Sequence, residues 1–215
     1  MFDFNRVFIS FGIDYSENKF CTPVNFRQFN SLINLPSKPL KGGFWGSEKY
    51  YMNDYHSAWH KYIIETLNPK YFESKFNNKS TFFNLKEDSE VLIIKSFEDI
   101  NITFDENGFK TSSIPLRTIQ VSGDVPKSFE KQLYIDFEIT SEFFDAIYVS
   151  EDFISKVNWI LNEYERRINA GEQEYDDTQV TPELVFKSAI FEDWSVGSIL
   201  ILKSKCINFL EKVRL

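Results

Sequence analysis

Apolar positions along this chain follow three patterns. Short unbroken runs form the first: Val7-Phe8-Ile9, Val91-Leu92-Ile93-Ile94, Ala146-Ile147-Tyr148-Val149 and Ile199-Leu200-Ile201-Leu202. Runs this short, without helical spacing, predict strands buried on both faces. Thr81 to Leu85 reads as a further strand and Gly43 to Ser47 as a short one. The second pattern has the helical period. Phe153, Val157, Ile160, Leu161, Tyr164 and Ile168 mark one face of a helix over residues 152–169, ended at Ala170-Gly171. Ser57 to Leu67 predicts a shorter helix stopped by Asn68-Pro69, and Glu138 to Phe144 another. Leu184 to Ile190 fits either period. Elsewhere no period holds. Residues 14–40 are loop-like, with Pro23, Pro36 and Pro39. Residues 99–130 read as peripheral hairpins with turns at Asp105-Glu106-Asn107-Gly108 and Gly123-Asp124-Val125-Pro126. Glu172 to Asp177 is an acidic loop. Strands and helices are interspersed, with no repeat or linker between them. The expectation is therefore a single α+β domain over residues 1–215.

Composition narrows the class. A chain of 215 residues, 42% hydrophobic and 26% charged, buries a sizeable core and is not of the disordered type. Its net charge of -8 repels phosphate, which argues against non-specific binding to nucleic acid or anionic membrane. A nucleic acid held in a local basic cleft stays open. Cys21 and Cys206 lie far apart without metal-ligand spacing and read as free thiols. Met1 to Arg6 has none of the features of a signal peptide, and apolar runs such as Ile199–Leu202 are far short of a membrane span. The expected setting is cytoplasmic, without membrane contact.

Candidate chemistry is sparse. Phosphate-loop, dinucleotide and nucleophile-elbow motifs are absent from the sequence. The two histidines, His56 and His60, share a helix face but have neither a third ligand nor a general-base glutamate between them, so no metal site is expected. Glu192-Asp193 stands beside Trp194 just before a buried strand, where desolvation shifts a carboxylate. Rings and cations interleave at Trp45, Lys49, Tyr50, Tyr51, Tyr55, Trp59, His60 and Lys61, a composition suited to stacking a base or nicotinamide. The most informative string is Lys38-Pro39-Leu40-Lys41-Gly42-Gly43-Phe44-Trp45-Gly46-Ser47. Its paired glycines permit positive φ and a close approach, with two large rings directly after them.

Several segments in order resemble a group of small bacterial and phage proteins with an ADP-ribosyltransferase-like fold. They are Arg6 to Gly12, the Lys38 to Ser47 string, Trp59, Val91 to Ile94 with Asp99-Ile100, Phe144 to Val149, and Asp193 to Leu202 with Ile207. The likeness covers most of the chain as short motifs and is weak over residues 101–130 and 154–182. It implies a split, mixed β core with flanking helices and NAD lying across its cleft. The implied reaction breaks the nicotinamide–ribose bond and passes ADP-ribose to a protein or nucleic acid acceptor. The implied setting is phage- or toxin-related, with an antitoxin or host protein as partner. Arg6 or Ser10 would take the first-strand role, Gly43 would offer its backbone to the nicotinamide amide, and Ser47 would match the second-strand serine. Phe44 and Trp45 would wall the ring, and Trp59 or Tyr62 would stack on it. The late-strand glutamate of that group has no counterpart in Ser195-Val196-Gly197-Ser198, so Glu192 or Asp193 is the expected catalytic acid, with Glu183 an alternative. The same gap motivates a second expectation, a non-catalytic interaction protein on the same fold.

Overall fold

Each apolar run becomes a strand because turn-forming residues flank it and too few residues remain for a helix. The computed structural model describes residues 2–11, 20–25, 29–30, 37–50, 56–67, 70, 79–105, 108–122, 131–172 and 179–214. The expected stops at Gly12 and Asn68-Pro69, the turn at Gly123-Asp124-Val125-Pro126, most of the acidic loop, and Tyr51 and Tyr55 lie outside the described residues. In chain order the strands are β1 (Phe8–Phe11), β2 (Phe29–Asn30), β3 (Phe44–Glu48), β4 (Lys79–Leu85), β5 (Val91–Ile94), β6 (Ile102–Asp105), β7 (Gly108–Ser112), β8 (Leu116–Ser122), β9 (Lys131–Ile135), β10 (Ala146–Val149), β11 (Ser198–Ile201) and β12 (Ile207–Arg214). The helices are α1 (Ala58–Tyr62), which continues as a π-helical turn over Ile63–Leu67, then α2 (Phe137–Phe143), α3 (Glu151–Ala170) and α4 (Pro182–Ala189).

The architecture is α+β, built on a curled, mixed seven-stranded sheet of order β12-β4-β1-β3-β11-β10-β5. Its pairs are antiparallel except β10 with β5, which is parallel. The β6-β7 hairpin and β8 fall in residues 99–130, where hairpins were expected; β8 joins a three-stranded sheet (β2-β8-β9) with β9, just beyond that stretch, and with β2, from the stretch expected to be loop. Local chemistry explains the helix limits. In α3 the Ser150 hydroxyl accepts from Phe153 N–H at 3.3 Å, and Gly171 closes the helix at φ 70. In α4 the Thr181 hydroxyl accepts from Leu184 N–H at 3.2 Å and Pro182 occupies the first turn, which settles the ambiguous period of residues 184–190 as helical.

Strand β3 is divided between two neighbours. Phe44, Trp45 and Gly46 pair with Ile201, Leu200 and Ile199 of β11. Ser47 and Glu48 pair with Ile9 and Phe8 of β1. Directly opposed residues share a face of a sheet. Ile9, Ser47, Trp45 and Leu200 therefore lie on one face, and Phe8, Glu48, Phe44 and Ile201 on the other. On the first face, α3 and α4 pack over β5, β10 and β11, with Ile147, Val149, Phe153, Val157, Phe191 and Trp194 in a shared core. On the same face, the α1 segment covers β1 and β4 through Ile63, against Ile9, Phe11 and Phe82. The second face carries its own cluster, including Phe2, Phe8, Phe44, Phe83 and Tyr148. The two cores of the first face leave a depression between them above β3.

Gly42 and Gly43 do take positive φ, at 81° and 73°. The close approach they permit is made by the chain itself. A Cβ on Gly42 would sit 2.4 Å from the Thr22 carbonyl oxygen, and Gly43 N–H donates to the Cys21 carbonyl at 2.8 Å.

Asp145 ties the β5, β10 and β11 ends together. Its buried carboxylate accepts from Glu90 N–H at 3.2 Å and pairs with Lys203 and Lys205 at 3.2 and 3.3 Å. Burial alone would raise its pKa; the Glu90 N–H and the two ammonium groups outweigh burial and hold it below the usual aspartate value. A lowered folded pKa means the stabilisation is present above the unfolded value and is lost as pH falls through the folded one. Asp145→Asn is expected to cost about 1.5–3 kcal/mol at neutral pH, the range for hydrogen bonds to charged groups. The gap between wild type and variant in thermal unfolding should close below about pH 4. A gap that is constant with pH would show that the charge contributes nothing.

Candidate ligand-binding cleft

The depression above β3 is a cleft of about 260 Å³. Its floor is Ile9, Trp45, Gly46 and Ser47; Ser10 and Phe11 border it on the β1 side. Trp194, Ser195, Val196 and Ser198 form the opposite wall, and Trp59 and Lys38 complete the rim. The cleft follows from the register. Ser10 and Phe11 pair with Thr81 and Ser80 of β4 but not with β3, so β1 and β3 part where the cleft opens.

Three indoles define its chemistry. Trp194 is buried, donates its Nε1–H to the Ser37 carbonyl at 2.8 Å, and meets Trp45 edge to face at 4.7 Å between centroids. Trp59 stacks on Tyr62 at 5.4 Å and turns toward the cleft from α1. The Ser57 hydroxyl fixes α1 by accepting from His60 N–H at 3.2 Å. Between these rings the Ser47 hydroxyl is buried and has no hydrogen-bond partner among the described residues. A buried hydroxyl without a partner costs free energy until something supplies one. The Ser37, Ser80, Ser89 and Ser188 hydroxyls are in the same state; of the five serines, Ser47 is the one whose residue lines the cleft.

A second cavity of about 260 Å³ is lined by Glu48, Lys49, Tyr50, Ala58, Tyr148, Glu151 and Gly197, with Glu48 and Tyr148 on the second face of the sheet. Three of its lining residues adjoin residues of the first cleft along the chain: Glu48 follows Ser47, Ala58 precedes Trp59, and Gly197 precedes Ser198. The second cavity is acidic. Glu151 Oε2 accepts from Gly197 N–H at 2.6 Å. Desolvation raises the Glu151 pKa, the Gly197 N–H opposes this, and Asp152 adds to the rise. Arg6 pairs with Glu48 and donates to the Tyr148 hydroxyl at 3.0 Å; that hydroxyl donates to Glu48 at 3.3 Å. Burial is the main reason the Tyr148 hydroxyl is pushed up to about 12.

The structure thus brings Ser10, Trp45, Ser47 and Trp59 into one cleft and separates the other candidates from it. Arg6 is engaged at the second cavity. Gly43 is outside the lining, its N–H already donated within the chain, which corrects the role expected for it. Phe44 is buried on the opposite face against Phe83, at 5.2 Å between centroids, because alternation sends consecutive side chains of β3 to opposite sides. Glu192 and Asp193 are also outside the lining. Asp193 accepts from Ser37 N–H at 3.1 Å; burial raises its pKa and that N–H and Lys38 oppose the rise. Desolvation and then the Asp193 charge push Glu192 up to about 7, although its side chain is exposed and solvent screens the effect. The sequence assigned no site role to Lys38, Phe11 or Trp194, which line the cleft, or to Glu151, which accepts from Gly197 N–H. Trp194 has a signal, as a tryptophan next to acids before a buried strand.

Among the described residues, no cluster of three or more histidines, cysteines or carboxylates is placed to hold a metal ion, and His56 and His60 stack at 5.1 Å. No helix among them is long and apolar enough to cross a membrane. Fold and cleft together define an α+β protein with an aromatic, lysine-bearing cleft on one face of a mixed sheet. Comparisons with protein-family models, curated proteins and solved structures gave no match.

Proposed function

We propose that this protein is an NAD-dependent ADP-ribosyltransferase of the cytoplasm, with the nicotinamide end of NAD in the tryptophan cleft and a protein or nucleic acid as acceptor. The observation that carries this reading is that Trp45, Trp59 and Trp194 line one cleft together with Ser47, whose buried hydroxyl has no partner among the described residues. A flat heteroaromatic ring gains contact with the indoles, and its carboxamide gives Ser47 the missing hydrogen bond. The cleft volume suits one end of a dinucleotide rather than the whole, since sites for complete drug-sized ligands run to roughly 300–1,000 Å³. In the reaction the C–N bond between nicotinamide and ribose breaks. The bonding pair leaves with nicotinamide as a neutral amide, positive charge develops on the ribose, and the acceptor nucleophile bonds to the same carbon. Stabilising that charge is the main demand on the protein. Among the described residues no carboxylate lines the cleft, so we assign this task to Glu151, whose carboxylate accepts from Gly197 N–H between the lining residues Val196 and Ser198.

Incubation with NAD labelled in the adenylate half should give free nicotinamide and a labelled acceptor from a lysate. Glu151→Gln should lower turnover by about 100-fold, the order seen when one charge-stabilising group is removed, and leave ring binding unchanged. Folded protein that releases no nicotinamide and labels nothing would overturn the transferase reading. The missing acid in the lining favours one further reading, a non-catalytic protein that uses the same cleft and fold to engage a host protein or antitoxin. It predicts that NAD binds without nicotinamide release and that Glu151→Gln changes nothing.

A further inference from the structure

Lys38 is the one charged residue among the described lining of the cleft, set in a wall of indoles, a phenyl ring and small residues. Its position is built rather than incidental. Both backbone polar groups of the preceding residue are fixed by one turn: Ser37 N–H donates to Asp193 Oδ2 at 3.1 Å, and the Ser37 carbonyl accepts from Trp194 Nε1–H at 2.8 Å. The turn that supplies a cleft wall through Trp194 therefore also sets where Lys38 leaves the backbone. From there its ammonium lies 6.0 Å from the centre of the Trp45 ring, on the cleft's rim.

We infer that Lys38 recognises a phosphate attached close to the bound ring, that the cleft therefore selects nucleotides over nucleosides, and that Asp193 is a positioning residue for Lys38. This rests on the reading of the cleft as a ring site and names the group that should accompany the ring. Ammonium on an otherwise apolar rim meets less competing water than one on an open surface, so an oxyanion there is held more strongly. Lysine binds phosphate as a point charge, without demanding a bidentate geometry. Burial lowers the Lys38 pKa, and the Asp193 charge opposes the fall. Asp193, first considered as a catalytic acid, takes on a different role here. It anchors Ser37 and supplies the field that holds the ammonium until a phosphate arrives.

The test compares two probes that differ by one phosphate, nicotinamide mononucleotide and nicotinamide riboside, by calorimetric titration. Wild type should bind the mononucleotide about tenfold more tightly or better, the scale of one charge-assisted hydrogen bond. Lys38→Gln should erase that preference without weakening riboside binding, and Lys38→Arg should keep most of it. Lys38 is half-exposed, so the substitution should fold; the salt dependence of the wild type gives the same answer without any variant. Added salt should weaken mononucleotide binding but not riboside binding, since salt only screens the repulsion between Lys38 and the cationic pyridinium ring. Equal affinity for both probes overturns the Lys38 inference and leaves the ring site standing. Loss of both probes in Lys38→Gln also overturns it, since the lysine would then act only by packing on Trp45. If neither probe binds wild type, the ring site itself fails and the inference falls with it.

Discussion

Replacing Gly197 with alanine should cost about 3 kcal/mol and lower the melting temperature by about 6–12 °C. The added Cβ would lie 2.4 Å from the Glu151 nitrogen and 2.5 Å from its Cα. Both are backbone atoms of the first turn of α3, so a change of rotamer cannot relieve the overlap. Helix α3 cannot retreat either, because Phe153, Ile154 and Val157 hold it in the main core. Relief has to come from moving the strand that begins at Ser198. That displaces one wall of the cleft and breaks the 2.6 Å bond from Gly197 N–H to Glu151. Gly171→Ala is the control. Its Cβ would meet nothing within 4 Å, and its penalty is limited to the positive φ of 70°, about 1 kcal/mol. Circular dichroism melts of the two variants decide the matter. A Gly197→Ala melt within two or so degrees of wild type, on the order of 1 kcal/mol or less, would show that the approach of α3 to this turn is looser than described.

The second large effect is expected at Trp45. Trp45→Ala should weaken binding of nicotinamide mononucleotide by about 5- to 150-fold, the equivalent of the 1–3 kcal/mol carried by one stacked ring. The side chain is half-buried and meets Trp194 at 4.7 Å, so the truncation also lowers stability, by about 3 kcal/mol, the low end of the range for tryptophan in a core. Two readouts separate the effects. Thermal unfolding reports the packing loss, and titration well below the melting temperature reports the site. Trp45→Phe should recover most of the stability and part of the affinity, since a smaller ring still presents a flat face. An alanine variant that binds as tightly as wild type would remove the cleft from consideration as the ring site.

The strands that carry the core were legible because their signal is local. Ala146–Val149 and Ile199–Leu202 are buried on both faces, whereas Val91–Ile94, at the sheet edge, is buried on one face and half-buried on the other; such short unbroken runs between turn residues favour strands. Helix α3 was equally plain, with a serine cap, six spaced apolar residues and a closing glycine. Strand β12 was not. A bulge between Phe209 and Glu211 puts Phe209 and Leu210 side by side and breaks the alternation that would have marked it. Within the site, the sequence pointed to Trp45, Ser47 and Trp59 but not to the division of the string between two faces, which depends on the phase of β3. Phe44 and Trp45 look interchangeable in the sequence; one faces Phe83 and the other the cleft. Glu151 was opaque for a related reason. In the sequence it is a helix-start acid of the usual kind, and only the return of Gly197 to the start of α3 gives it the Gly197 N–H.

The division of β3 has a mechanical meaning. Its first three residues hydrogen-bond in the ladder with β11 and its last two with β1. The large sheet is therefore two plates, β12-β4-β1 and β11-β10-β5, coupled through a strip one strand wide. The torsion of that strip sets the distance between Phe11 on one plate and Val196 beside the other. A ligand resting against both plates works as a brace, turning part of its binding energy into stiffness. Bound ligand should then slow amide exchange most at Trp45 to Glu48, at the middle of the strip, rather than at the residues it touches most.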